Sequence, residues 1–153
     1  MDFHRQPNAP PDGISLHDAG LLILRWGAGV SLMLYHAWDE GVRGWKHLWY
    51  KEGPWAWAAE VSERGFPLPE AVAATSVAVA MLGSVFLLTG LLCRLSSAVL
   101  LAGALCGLFL YGKVPEMAER LALYAAVYAV LLICGPGRFS LDALFTSKRL
   151  ARR

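Results

Sequence analysis

The chain has 153 residues, of which 56 % are hydrophobic and only 17 % are charged. This composition argues against a small water-soluble protein, because one domain of this size has too little interior for so much apolar surface. The formal net charge of +2 is too small to favour nucleic acid as a partner. We therefore expect membrane lipid to solvate much of the surface.

The first membrane span is expected over residues 19–38, which carry a single charge, Arg25. About 20 helical residues cross the hydrocarbon core of a bilayer. Gly27, Gly29 and Ser31 give this span a small-residue face for close helix contact. Residues 1–18 form a polar, proline-containing N-terminal tail without the features of a signal peptide.

A tryptophan-rich connection is expected over residues 39–70. Tryptophan and tyrosine concentrate where a membrane meets water, so the segment is interpreted as an interfacial helix or a cover over the bundle. Stacking of these rings on a ligand is the alternative. The aromatic residues are Trp45, Trp49, Tyr50, Trp55 and Trp57.

Two uncharged runs, residues 71–93 and 95–112, predict the second and third spans, with a turn at residues 94–97. A buried hairpin of a soluble bundle is the alternative. Gly103 and Gly107 form a small-xxx-small pattern in the third span. The fourth span is expected over residues 116–134, and residues 140–153 are expected to form a basic interfacial helix or tail.

Four spans place both chain ends on one side of the membrane. Basic residues close to the span ends, in the turn at Arg94 and in the C-terminal tail, favour the cytoplasm for that side. The predicted fold is an all-α, integral membrane four-helix bundle over residues 19–145, with an interfacial Trp-rich segment between spans 1 and 2.

The three cysteines, Cys93, Cys106 and Cys134, form neither a CxxC motif nor a metal-ligand spacing. Each lies in or beside an apolar run, so buried reduced thiols are expected, with a redox role as the alternative. No covalently bound or metal-ligated cofactor is expected from the sequence.

Four stretches, taken in order, resemble the DoxX family of small four-span bacterial membrane proteins. They are residues 22–27 (Leu-Ile-Leu-Arg-Trp-Gly), 35–37 (Tyr-His-Ala), 87–95 (Leu-Leu-Thr-Gly-Leu-Leu-Cys-Arg-Leu) and 135–142 (Gly-Pro-Gly-Arg-Phe-Ser-Leu-Asp). The last stretch is the most specific. Ala80 and Ser84 stand where many members carry a glutamate and a glycine, and Trp38-Asp39-Glu40 replaces a lysine-containing segment.

The resemblance implies a multi-pass protein of the bacterial inner (plasma) membrane with both termini in the cytoplasm. It also implies a subunit of a membrane oxidoreductase assembly, with other membrane or periplasmic subunits as partners, or self-association. A non-catalytic membrane scaffold is the first alternative function. A small-solute transporter ranks lowest, because the spans show no paired discontinuities.

One group of polar and aromatic residues falls near the outer ends of the spans. An imidazole and a carboxylate at one membrane level can hydrogen-bond a quinone oxygen and transfer its proton, so a quinone is a candidate ligand. Ordinary interfacial polar residues are the alternative. The quinone-facing candidates are His36, Tyr35, Trp38, Tyr111, Glu116 and Glu119.

A second group falls near the cytoplasmic face. Arg25 and Asp142, with Arg138 nearby, are candidates for a structural ion pair that ties the two ends of the bundle together. Independent extension of Arg25 to the membrane surface is the alternative.

Overall fold

The computed structural model describes residues 16–51, 53–135, 137 and 140–142. Residues 1–15 of the predicted tail, Arg138, and residues 143–153 of the predicted basic segment lie outside the described residues. Within the described ranges the regular structure is entirely helical, which confirms the all-α prediction. The elements are α1 (Leu16–Leu32), a first π turn (Met33–Ala37), α2 (Trp38–Trp45), a second π turn (Lys46–Tyr50), α3 (Ala56–Glu63), α4 (Pro69–Thr89), α5 (Cys93–Tyr111) and α6 (Pro115–Cys134).

Three of the described helices, α4, α5 and α6, are long and apolar enough to cross a membrane. They contain 21, 19 and 20 residues, which corresponds to about 30 Å each at 1.5 Å per residue. Each coincides with a predicted span to within a few residues. The chain is therefore a membrane protein by the length and composition of these helices.

The turn between α4 and α5 lies at residues 90–92, and its predicted position at residues 94–97 was wrong. Gly90 ends α4 with a φ of 69°, and its N–H donates to the carbonyl of Phe86 at 2.9 Å. A charge marks where an apolar run meets the polar boundary, whereas a glycine with positive φ marks where the helix ends. Here the two signals differ by four residues, so Arg94 belongs to the first turn of α5.

The first helix does not end at Trp38, where the sequence predicted the end of the span. Helical backbone continues from Leu16 through both π turns to Tyr50, and it stops at Lys51, which has a φ of 53°. Asp39 and Glu40 both pair with Arg43, at the spacings that stabilise a helix. The first half of the tryptophan-rich connection is therefore a direct extension of α1.

The four long helices pack in a ring, in which α1 contacts α4, α4 contacts α5, α5 contacts α6, and α6 contacts α1. The hydroxyls of Ser31 and Tyr124 lie 2.6 Å apart and join α1 to α6. The ring encloses a core of apolar side chains from all four helices. Its largest members are Leu21, Leu32, Leu87, Leu100, Tyr128 and Leu131.

Glycines set how closely these helices approach. A Cβ atom on Gly29 would lie 3.0 Å from Cγ of Leu88, and one on Gly107 would lie 3.2 Å from Leu121. Gly27 and Gly103 face outward with nothing within 4 Å. Both predicted small-residue faces are therefore divided, with one glycine inside the bundle and one on its surface.

A second apolar core holds α3 against α4. Trp55 is 4 % exposed, and its ring lies so close to Gly44 that a Cβ there would be 2.7 Å away. The indole N–H of Trp55 donates to Glu40 at 3.0 Å. Trp55 thus joins α2 to the start of α3, and Ala58, Val61, Ala73 and Val77 complete the cluster.

The expectation of buried cysteines holds for only one of the three. Cys93 is buried at the start of α5, whereas Cys106 and Cys134 are exposed on the outer surfaces of α5 and α6. An apolar run that faces lipid has no polar stripe to distinguish its outer face from its inner one, so the sequence could not separate these positions.

Replacing Gly29 by leucine is expected to destabilise the bundle by about 1–3 kcal/mol relative to the matched Gly27→Leu variant. Both substitutions remove a helical glycine from α1, but only the first forces a side chain into Leu88 and the backbone carbonyl of Ser84. Thermal unfolding of both variants in the same detergent checks this. Equal midpoints would show that α1 does not approach α4 as described.

Candidate functional site

Trp57 is the centre of an aromatic cluster at the end of the bundle that carries α3, called here the α3 end. Its indole N–H donates to Oγ of Ser76 in α4 at 3.0 Å. Its ring lies nearly parallel to Tyr111 of α5, with centroids 6.3 Å apart, and meets His36 of the first π turn edge to face at 6.0 Å. Three helical segments therefore converge on one side chain.

Arg64, which follows α3, fixes the other side of this cluster. Its Cζ lies 3.7 Å from the centroid of the Tyr111 ring, a cation–π contact. The same guanidinium donates to the carbonyl of Leu110 at 3.1 Å and to Glu60 at 3.0 Å. A cation at the C-terminal end of α5 also complements the helix dipole.

The predicted quinone-facing residues take different positions around this cluster. Tyr111 is only 9 % exposed, so its ring is largely covered by its neighbours. His36 is exposed beside Trp57, and the adjacent Tyr35 projects outward at 84 % exposure. The structure thus brings His36 and Tyr111 together through Trp57, a residue that the sequence placed only among interfacial aromatics.

The remaining three candidates lie elsewhere. Trp38 lines a separate groove on α2. Glu116 and Glu119 are exposed in the first two turns of α6, and within the described residues neither forms a hydrogen bond or an ion pair. The carboxylate that lies at the cluster is Glu60, which pairs with Arg64 and which sequence reasoning missed. Its spacing of four residues from Arg64 was the available signal.

His47 fastens the second π turn to the chain on both sides of α3. Its Nδ1 donates to the carbonyl of Gly53 at 2.7 Å, and its Nε2 lies 3.4 Å from Oε1 of Glu70. The hydrogen bond to Gly53, followed by the interaction with Glu70, raises the pKa of His47 above its ordinary value. The protonated imidazole is therefore the form that this geometry favours.

At the opposite end of the bundle, the Gly90 end, Arg25 is buried at 2 % exposure. A Cβ atom on Gly90 would lie 2.6 Å from Nη1 of Arg25 and 2.8 Å from Cβ of Ser140. Gly90 is thus required both for its positive φ and for the close approach of the guanidinium.

Asp142 joins the segment after α6 to the same place. Its carboxylate accepts hydrogen bonds from the N–H groups of Leu92 at 2.9 Å and Cys93 at 3.1 Å, and so caps the start of α5. Its own N–H donates to the carbonyl of Gly90 at 3.2 Å. Asp142 also lies close enough to attract the Arg25 guanidinium electrostatically. The two predicted partners are therefore neighbours, whereas Arg138 lies outside the described residues.

In the part of the chain that the structure describes, no group of three or more His, Cys, Asp or Glu residues is arranged to hold a metal ion. Comparison with known protein families, with curated proteins and with solved structures finds no match to this chain. The function of the chain is therefore argued from the aromatic cluster around Trp57 and from the residues around Arg25 at the Gly90 end.

Raising the pH is expected to weaken the attachment of the second π turn through His47. Because the folded pKa is raised, the stabilisation is complete below the unfolded value of about 6.5 and is lost as the pH rises through the folded pKa. The measurement compares thermal unfolding of the native chain and of His47→Gln, in detergent, at pH 5.5 and pH 9. The native chain is expected to be more stable than the variant at pH 5.5 and to lose that advantage at pH 9. A pH-independent difference between the two proteins contradicts the assignment.

Proposed function

We propose that this chain is a DoxX-like, four-span subunit of an oxidoreductase assembly in the bacterial plasma membrane, with both termini in the cytoplasm. Three helices suited to crossing a membrane support the insertion, and α1 supplies the fourth span in this proposal. The 17 residues of α1 pack along α4 and α6 and continue directly into the first π turn. An even number of spans returns the chain to the side on which it began.

The proposed family relationship is supported by where the resembling stretches lie. Residues 22–27 contribute Arg25, residues 87–95 contribute Gly90, and residues 135–142 contribute Asp142. These three side chains or backbone groups meet at the Gly90 end, although the stretches are far apart in sequence. The resemblance therefore corresponds to one structural unit that closes the bundle, rather than to three unrelated matches.

The remaining resembling stretch, residues 35–37, supplies His36 at the α3 end. The functional proposal depends on this residue. An exposed imidazole lies edge to face with an indole ring, and the preceding residue, Tyr35, is 84 % exposed. Such a surface can hydrogen-bond a quinone oxygen and cover one face of the quinone ring. The chain would anchor partner subunits and present this surface, while the partners would carry out the electron transfer.

His36→Ala is expected to lower quinol-linked turnover in native membranes about fivefold, the size of one lost hydrogen bond between neutral groups. The amount of chain in the membrane is expected to stay constant, because the His36 side chain is exposed and contacts Trp57 only at a ring edge. Turnover is measured with equal amounts of chain, determined by immunoblot.

His17→Ala is the matched control, since His17 is also an exposed histidine but lies near the start of α1, far along the helix from His36. Its turnover is expected to equal that of the native chain. Unchanged turnover in His36→Ala, or an equal loss in both variants, would reject a quinone-facing role for His36.

A non-catalytic scaffold is the second candidate, and the outward face of α5 favours it. Gly103 has nothing within 4 Å, and Phe109 further along the helix is 90 % exposed. An open glycine on an apolar helix face permits close approach of a helix from another subunit.

Gly103→Ile is expected to reduce the recovery of any co-purifying membrane subunit severalfold in mild detergent, because a branched side chain blocks close helix contact. Gly27→Ile is the control, since Gly27 is equally open but lies on α1. Recovery is measured as the molar ratio of partner to tagged chain. Equal ratios for both variants and the native chain would exclude this face as an interface.

A further inference from the structure

An open groove of about 500 Å³ runs along α2 and the second π turn, apart from the aromatic cluster around Trp57. Its size falls in the range of small-molecule sites in proteins. The lining residues recur at helical spacing on one face, and a side chain of α4 closes the groove from beneath. The lining residues include Trp38, Gly41, Trp45, Lys46, Tyr50 and Met81.

The floor of the groove depends on the missing side chain of Gly41. A Cβ atom there would lie 3.0 Å from Sδ of Met81, so any larger residue would occupy the space. Trp38 and Trp45 form the walls and remain 57 % and 55 % exposed. The groove is therefore apolar at its floor and aromatic along its sides.

A positive charge lies at one end of this apolar surface. Lys46 follows Trp38 by about two helical turns and lines the groove next to Tyr50. The nearby Arg43 is neutralised by Asp39 and Glu40, whereas none of the described carboxylates pairs with Lys46. The groove thus combines an apolar floor with a cation that none of the described carboxylates neutralises, an arrangement complementary to an anionic amphiphile.

We propose that this groove binds an anionic phospholipid, with an acyl chain between Trp38 and Met81 and the phosphate at Lys46. The inference rests on the proposed membrane insertion but not on the quinone surface, because His36 and Trp57, which form that surface, do not line the groove. Tryptophan and tyrosine beside a lysine are the side chains that proteins place at the headgroup level of a bilayer. A neutral ligand or an apolar helix from a second copy would leave Lys46 without a counter-charge.

Native mass spectrometry of the full chain in detergent tests the proposal, with phosphatidylglycerol and phosphatidylcholine of identical acyl chains as the probes. The native chain is expected to bind phosphatidylglycerol more tightly. Lys46→Ala is expected to weaken phosphatidylglycerol binding about fivefold, the effect of one basic residue near an anionic headgroup. It should leave phosphatidylcholine binding unchanged.

Lys113→Ala is the matched control, because Lys113 is an exposed lysine in the turn between α5 and α6 and does not line the groove. It is expected to bind both lipids as the native chain does. Gly41→Leu fills the floor and is expected to weaken both lipids alike. Lys46→Arg keeps the charge and is expected to retain the preference for phosphatidylglycerol over phosphatidylcholine. The two Lys46 variants therefore decide the proposal even if Gly41→Leu fails to fold.

Equal affinities of the native chain for the two lipids would overturn the proposal, as would equal losses in Lys46→Ala and Lys113→Ala. A dimer that excludes lipid from the groove would overturn it as well. These outcomes leave the quinone proposal intact, since that proposal is decided by turnover of the His36 variant in membranes that retain their native lipids.

Discussion

A guanidinium buried inside an apolar bundle is the constraint on which the rest of this structure depends. Arg25 is 2 % exposed, and a charge in such surroundings is costly unless its neighbours compensate for it. The chain meets this requirement at Gly90, which leaves room for the guanidinium, and at Asp142, which supplies an attracting carboxylate. Because Asp142 also caps α5, the same carboxylate links charge compensation to the position of a helix.

Much of the fold was predictable because lipid-facing helices leave a strong signal in the sequence. The two uncharged runs predicted α4 and α5, and the apolar stretch after Arg120 predicted α6, each to within a few residues. The continuation of the first helix past Trp38 was missed, because a helix that leaves a membrane need not stop there. Asp39 and Glu40 end the apolar run, yet their pairing with Arg43 supports continued helix. The polarity of the sequence therefore located the end of the apolar run but not the end of the helix.

The candidate site was predictable only in part, for a geometric reason. His36 and Tyr111 were identified because each ends an apolar run, which places them at a common level. Their actual link is Trp57, which depends on how α3 folds back over α4, and no local pattern specifies that. Glu116 and Glu119 share the same level but lie on α6, which turns them to the surface. The level of a residue along the bundle axis can be predicted from the sequence. The direction in which its side chain points around that axis cannot.

The first π turn determines this direction for the residues that follow it in the first helix. Each residue of an α-helix rotates the chain by about 100°, so an extra residue accommodated within a wide turn changes the angular phase of everything beyond it. The turn at Met33–Ala37 sets the phase of the helix face that carries Gly44 towards Trp55, whereas the turn at Lys46–Tyr50 is followed at once by the end of the helix at Lys51. The register between the residues before Met33 and the outer half of the helix after Ala37 is therefore held by one local insertion. A single-residue deletion within Met33–Ala37 would rotate the outer half as a block while leaving its composition almost unaltered.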